Sequence, residues 1–133
     1  MAYHGVELQN SITIGKIFSI HYFEYMSNFS FAGESHNFWE FICVDKGEVG
    51  VTRGKSYTIL KKGDLIFHKP NEFHDVKATG GIAPNLVVIS FECNDDAMYF
   101  FNDRLLQIDE TERNLPADVS TAALTILIFR ICR

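Results

Sequence analysis

The chain has 133 residues, the length of one domain built on one core. Its 47% hydrophobic content, with twelve Phe, five Tyr and one Trp, is too apolar and aromatic for a disordered segment. A formal net charge of -5 argues against this chain gripping a phosphate backbone by itself, because that affinity comes from clustered Lys and Arg.

Cys43, Cys93 and Cys132 are odd in number, widely spaced and free of any C-x-x-C pair. That usage fits reduced thiols in a cytoplasmic protein better than a disulfide framework or a zinc knuckle. The first twenty residues lack the basic start and continuous apolar stretch of a signal peptide.

Residues 1–15 carry no clear period and read as an N-terminal arm. From Lys16 to Phe31 the chain is dense in aromatic and β-branched residues, and Phe18, Ile20 and Tyr22 alternate in part with Ser19 and His21, which predicts a strand at least partly covered on both faces. Six short β-prone runs follow: Phe38 to Val44, Val49 to Arg53, Tyr57 to Leu60, Asp64 to His68, Phe73 to Lys77 and Leu86 to Glu92. Close, regular spacing of this kind signals a sandwich or barrel. The links at Gly47, Gly54 and Gly63 supply the positive φ that tight antiparallel hairpins need, and Gly80 to Pro84 reads as a longer loop at one end.

After Glu92 the period changes. Asn94-Asp95-Asp96 can cap a helix whose apolar positions are Met98, Phe101, Leu105 and Ile108. Pro116 and Asp118 suit the first turn of a second helix running through Val119 to Ile131. The apolar run Ala122 to Ile131 is too short to span a bilayer, so no membrane span is expected. The expected organisation is a single domain over 1–133: the arm at 1–15, a β-barrel at 16–92 and a helical dimerisation segment at 95–133. That segment would expose more apolar surface than a monomer tolerates, hence a homodimer.

Chemistry concentrates in two segments, Glu34-Ser35-His36-Asn37-Phe38-Trp39-Glu40 followed by Gly47, and Gly63-Asp64-Leu65-Ile66-Phe67-His68-Lys69-Pro70-Asn71-Glu72-Phe73-His74. In an extended chain Glu34, His36 and Glu40 share one face with Phe38 and Ile42, and that face should point inward. His74 shares parity with Val76 and can meet them from a facing strand. Two imidazoles and two carboxylates suit a borderline transition metal such as Fe, Mn, Ni or Zn. They equally suit a polar floor, with His36 and Glu40 bonded to each other and His74 satisfied by a loop carbonyl. His21 reads as a packed strand histidine and His68 as structural or solvent-facing. Trp39, of opposite parity, suits outer-face packing at least as well as stacking on a ligand. Lys61, Lys62 and Lys69 mark solvated turns, and nothing resembles a phosphate loop or a Ser/His/Asp triad.

The two segments resemble the two motifs of the cupin family. Its first motif has a His-x-His pair, a Glu four residues after the second His, and a Gly seven further on; His36, Glu40 and Gly47 match, and Glu34 stands in place of the first His. Its second motif has a Gly, a Pro six on, a Gly two further and a His three after that; Gly63 and His74 match, while Lys69 and Asn71 depart. The run from Gly63 to His74 looks especially like the N-terminal domains of AraC/XylS-type transcription regulators.

The resemblance covers about Glu34 to Phe91 and implies a mainly β, cupin-type double-stranded β-helix, a jelly-roll barrel, followed by two C-terminal helices. It implies the effector-binding and dimerisation domain of a bacterial regulator, with a small organic effector as partner. DNA would be reached only through a helix-turn-helix module that this chain does not contain. Phe38 and Ile42 are then expected as ligand walls and His36, Glu40 and His74 as polar anchors, with no catalytic residue. No cofactor is favoured. The alternative is a metal-dependent cupin enzyme, a dioxygenase, isomerase or hydrolase, holding a divalent transition metal on Glu34, His36, Glu40 and His74.

Overall fold

The computed structural model describes residues 14–107. The elements are β1 (Lys16–Glu24), β2 (Ser30–Glu34), β3 (Trp39–Lys46), β4 (Glu48–Arg53), β5 (Ser56–Lys61), β6 (Asp64–His68), β7 (His74–Ala78), β8 (Asn85–Glu92), a 3₁₀ helix (Asp96–Phe101) and β9 (Leu106–Gln107). Each of the six β-prone runs of the sequence lies on a strand. Tight reversals join them where expected, with Gly47, Gly54 and Gly63 at φ of 78°, 55° and 89°.

The strands form two antiparallel sheets, one ordered β1-β8-β3-β6-β9 and the other β2-β7-β4-β5. This is the two-sheet architecture that the resemblance implies. Period-two alternation sorts β3 onto two faces. Trp39, Phe41 and Cys43 point outward and are buried with Phe67, Phe91 and Met98. Ile42 and Val44 point between the sheets and meet Val49, Val51, Leu60 and Ile66.

Two expectations need correction. Lys16 to Phe31 is not one strand: Phe29 N–H donates to the Met26 carbonyl (3.0 Å), and the reversal at Ser27-Asn28 sends β1 into one sheet and β2 into the other. Ser and Asn favour turns through their side-chain hydrogen bonds, a signal masked here by aromatic neighbours. The cover on the outer face of β1 is only partial, Phe18 and Tyr22 being 52% and 42% exposed.

The second correction concerns the helix after Glu92. Asp95 caps it as expected, its carboxylate accepting from Ala97 N–H at 2.9 Å. Yet it is a six-residue 3₁₀ helix that stops at Phe101, not a helix reaching Ile108. Met98 and Phe101, three residues apart, stack on one side of such a helix and sink into the outer face of the five-stranded sheet. Asp103 at φ 63° turns the chain back, and Leu106 and Gln107 pair with Leu65 and Asp64 of β6. Leu105 is left exposed. The expected second helix at 116–131 and the arm up to residue 13 lie outside the described residues. Among the described residues no helix is long and apolar enough to cross a membrane.

Candidate functional site

Strand register sorts the space between the sheets into tiers, because residues paired across adjacent strands share one level and one face. In the five-stranded sheet Ser19 pairs with Ser90, Ser90 with Glu40 and Glu40 with His68, giving a wholly polar row. The next inward row along the strands is His21, Val88, Ile42 and Ile66. In the facing sheet Glu34 pairs with His74 and His74 with Arg53, with Phe31, Val76 and Val51 as the next row. One polar tier therefore lies over apolar ones. A register shift between Phe31 and Glu34 brings Glu34 level with His74, and Gly33 at φ 105° makes it feasible.

At the centre of the polar tier one carboxylate oxygen sits between two imidazoles. Glu40 Oε2 lies 2.7 Å from His36 Nε2 and 3.1 Å from His74 Nε2. Each ring donates its Nδ1–H to a backbone carbonyl at 3.0 Å, His36 to Phe38 and His74 to Glu72. Glu34 Oε1 stands farther out, 3.7 Å from His36 Nε2 and 3.9 Å from His74 Nε2. Burial alone would raise the Glu40 pKa, but the hydrogen bonds from His74 and His36 outweigh it and hold the carboxyl below its ordinary range. Burial alone would lower the His74 pKa, but the bonds to Glu40 and to the Glu72 carbonyl raise it above the usual histidine value. His68 stacks on His74 (4.2 Å, 10°). Burial drives its pKa well down, and the His74 and Arg53 charges act the same way, which favours the neutral ring.

The tiers border a cavity of about 430 Å³. Phe23, Tyr25, Phe29, Phe31 and Phe38 supply aromatic walls, and Ile42 and Val88 aliphatic ones. Phe23, Tyr25 and Phe29 stack in series, at 5.1 and 3.6 Å between centroids. His36 stacks on Phe38 at 3.9 Å. On the far side Val49, Val51 and Leu60 of β4 and β5 fill the space.

All residues singled out from the sequence, Glu34, His36, Phe38, Glu40, Ile42 and His74, line this one cavity. Sequence reasoning did not place the polar residues Ser19, His21, His68, Asp75 and Ser90 in the site, and they line it too. His68 is not solvent-facing; it is buried, level with Glu40 and part of the cavity wall. Its parity with Ile66 was legible, but which strand it would face required the register. Trp39 lies on the outer face, buried and edge-to-face with Tyr99 of the 3₁₀ helix at 5.1 Å.

The donor set also fits a metal. One ligand atom from each of Glu34, His36, Glu40 and His74 lies within 4.8 Å of the others. Both Nδ1–H groups are fixed by carbonyls, the arrangement that leaves Nε2 to ligate. A ring donating from both nitrogens is an imidazolium and clamps the carboxylate; a ring with a lone pair on Nε2 can bind a cation. The same geometry serves either chemistry.

In fold, the chain is similar to several solved structures. A predicted oxalate decarboxylase from Thermotoga maritima is 18% identical, with 58% of this chain and 68% of that chain covered and a TM-score of 0.56. The Cnp3 cupin domain of Schizosaccharomyces pombe is 16% identical (65% and 69% covered, TM-score 0.53). A conserved protein of unknown function from Streptococcus pyogenes is 14% identical (55% and 62% covered, TM-score 0.51), so the chain spans less than two thirds of that protein's length. At these identities the likeness is one of fold alone. No curated protein matches the chain in sequence. The family of AraC-like ligand binding domains matches residues 18–102, which hold both motifs, every strand facing the cavity and the 3₁₀ helix, and it is to this family that the chain belongs.

Proposed function

We propose that this domain binds a small organic effector between its two sheets, with Phe38 and Ile42 as walls and His36, Glu40 and His74 as polar anchors. The observation that carries the reading is the cavity itself: about 430 Å³, aromatic on its sides, with a converging polar tier at one level. In a cytoplasmic transcription regulator, occupancy would alter how a DNA-binding module outside this sequence is presented. Such coupling requires the effector to prefer one arrangement of the regulator over another. Residues 1–133 would act as one domain and pair as a homodimer through the segment from residue 95 onward.

Native mass spectrometry of freshly purified protein tests this reading. The expected result is a dimer that carries a small organic mass, lost on collisional activation. A ligand-free chain with one tightly held metal per protomer would overturn it.

The second reading, a metal-dependent enzyme, is favoured by one specific feature, the carbonyl-anchored histidines whose Nε2 atoms converge with Glu34 and Glu40. Those four residues would hold a divalent transition metal, which would supply Lewis acidity to a substrate in the cavity. Elemental analysis separates the readings, the effector-binding one expecting less than one Fe, Mn, Ni or Zn per chain.

A further inference from the structure

We propose that the polar row Ser19–Ser90–Glu40–His68 reads the head group of the ligand, and that this head donates hydrogen bonds, as an amine or alcohol on an apolar body does, and is not an acid. The inference rests on the cavity being the ligand site.

Ser90 is the decisive residue. It is only 7% exposed and lines the cavity, yet its hydroxyl makes no hydrogen bond to any described residue. With no partner among the described residues, this hydroxyl opens onto the cavity, where a ligand group or water takes the partner's place. Ser19, paired across the ladder, also lines the cavity, and its hydroxyl makes no hydrogen bond to any described residue. On the other side of Ser90 stands Glu40, whose Oε2 takes both imidazoles while Oε1 takes no hydrogen bond from any described residue. The row thus presents two hydroxyls and a carboxylate oxygen, side by side at the strand spacing of roughly 4.8 Å.

The charge of the wall sets the sign of the head. Among the described residues Glu34, Glu40 and Asp75 line the cavity and no Lys or Arg does. Arg53 is next to His74 in its row but lies outside the wall. Neither His36 nor His74 has a spare N–H, since both nitrogens of each ring already have partners. An acid would meet carboxylates and find no free cationic donor. An amine or alcohol finds Glu40 Oε1 and the two serines. The next row, His21, Val88 and Ile42, with Phe23 and Phe31 alongside, accepts an apolar or aromatic body.

Four probes with one body isolate the head: phenethylamine, 2-phenylethanol, phenylacetate and ethylbenzene. Each is titrated into the full chain after EDTA treatment, and the methyl NMR signals of Ile42 and Val88 report entry to the cavity. The amine or the alcohol should bind at least about tenfold more tightly than phenylacetate and ethylbenzene, one to two hydrogen bonds' worth. Ser90→Ala should weaken the favoured probe about five- to tenfold, leave ethylbenzene unaffected and leave the melting temperature unchanged, while Ser90→Thr restores affinity. Phenylacetate binding most tightly, or Ser90→Ala weakening ethylbenzene as much as the donor-headed probes, overturns the proposal while the cavity remains the ligand site. If no probe moves the Ile42 and Val88 signals, the effector-binding reading falls with it.

Discussion

The two faces of β3 differ as sharply as any two regions of this molecule, although their residues alternate along one strand. Outward, Trp39, Phe41 and Cys43 join Phe67, Phe91, Met98 and Phe101 in a cluster with no charged member. Inward, Glu40 begins a polar tier and only Ile42 and Val44 return to apolar packing. Apolar burial is worth roughly 25 cal/mol per Å² and needs no partner. Buried polar groups stabilise only when each finds its bond, and among the described residues His68 Nδ1 in the tier, and Arg53 Nη1 and Glu72 Oε1 outside the cavity wall, have no hydrogen-bond partner. The outer face is thus expected to be the main source of stability, and the inner tier to contribute less.

The largest effect expected is on the outer face. Phe67 is fully buried, with ring neighbours Phe41, Phe91 and Phe101 at 5.7, 6.4 and 5.1 Å. Phe67→Ala should cost about 3–5 kcal/mol in urea unfolding, the range for emptying a packed aromatic site. A loss under about 1 kcal/mol would mean that this face is not the main source of stability.

Glu40→Gln should cost less, about 1.5–3 kcal/mol at pH 6 in metal-free protein, because two charge-assisted bonds become neutral ones. Its pH dependence sharpens the contrast between the faces. His74 has a raised folded pKa, so its contribution is complete below the ordinary histidine value of 6.5 and disappears as pH rises through the raised value. Glu40 has a lowered folded pKa, so its contribution is complete above 4.5 and disappears as pH falls through the lowered value. The wild-type advantage over Glu40→Gln should therefore peak between pH 4.5 and 6.5 and shrink toward pH 8. His68 acts oppositely, favouring folding above 6.5 and losing that contribution as pH falls, but it does so in both proteins. Unfolding curves across pH with a constant gap would show that Glu40 and His74 are not paired in solution.

Gly33→Ala should cost about 1–2 kcal/mol, the penalty for an L-residue at positive φ. The added Cβ would also run into the Phe73 ring and approach the His74 carbonyl at 3.0 Å. Because Gly33 sets the level of Glu34, the signature to seek is weaker ligand or metal binding beyond what the melting temperature accounts for.

Leu105→Gln should change stability by less than about 0.5 kcal/mol, as for an exposed site. Leu105 is 47% exposed because the chain turns back at Asp103. A loss above about 2 kcal/mol would restore the longer helix, with Leu105 on its packed side.

Local chemistry made much of this protein readable in advance. Gly47, Gly54 and Gly63 fixed the hairpins because little else tolerates their φ, and alternation along Phe38 to Val44 separated Glu40 and Ile42 from Trp39 and Phe41. The two motifs brought Glu34, His36, Glu40 and His74 together, and all four line the cavity. Other features depend on which strands become neighbours, and a single chain does not carry register explicitly. Ser19, Ser90 and His68 look ordinary along the sequence; only the pairing Ser19–Ser90–Glu40–His68 makes them a row. The turn at Ser27-Asn28 was hidden by its aromatic surroundings. The helix after Asp95 was cut short by burial of Met98 and Phe101 on the sheet and by pairing of Leu106 with Leu65. Period and turn chemistry are local and were determined by the sequence alone. Register and the level of each side chain follow from packing two sheets against each other, so only the tertiary structure could decide them.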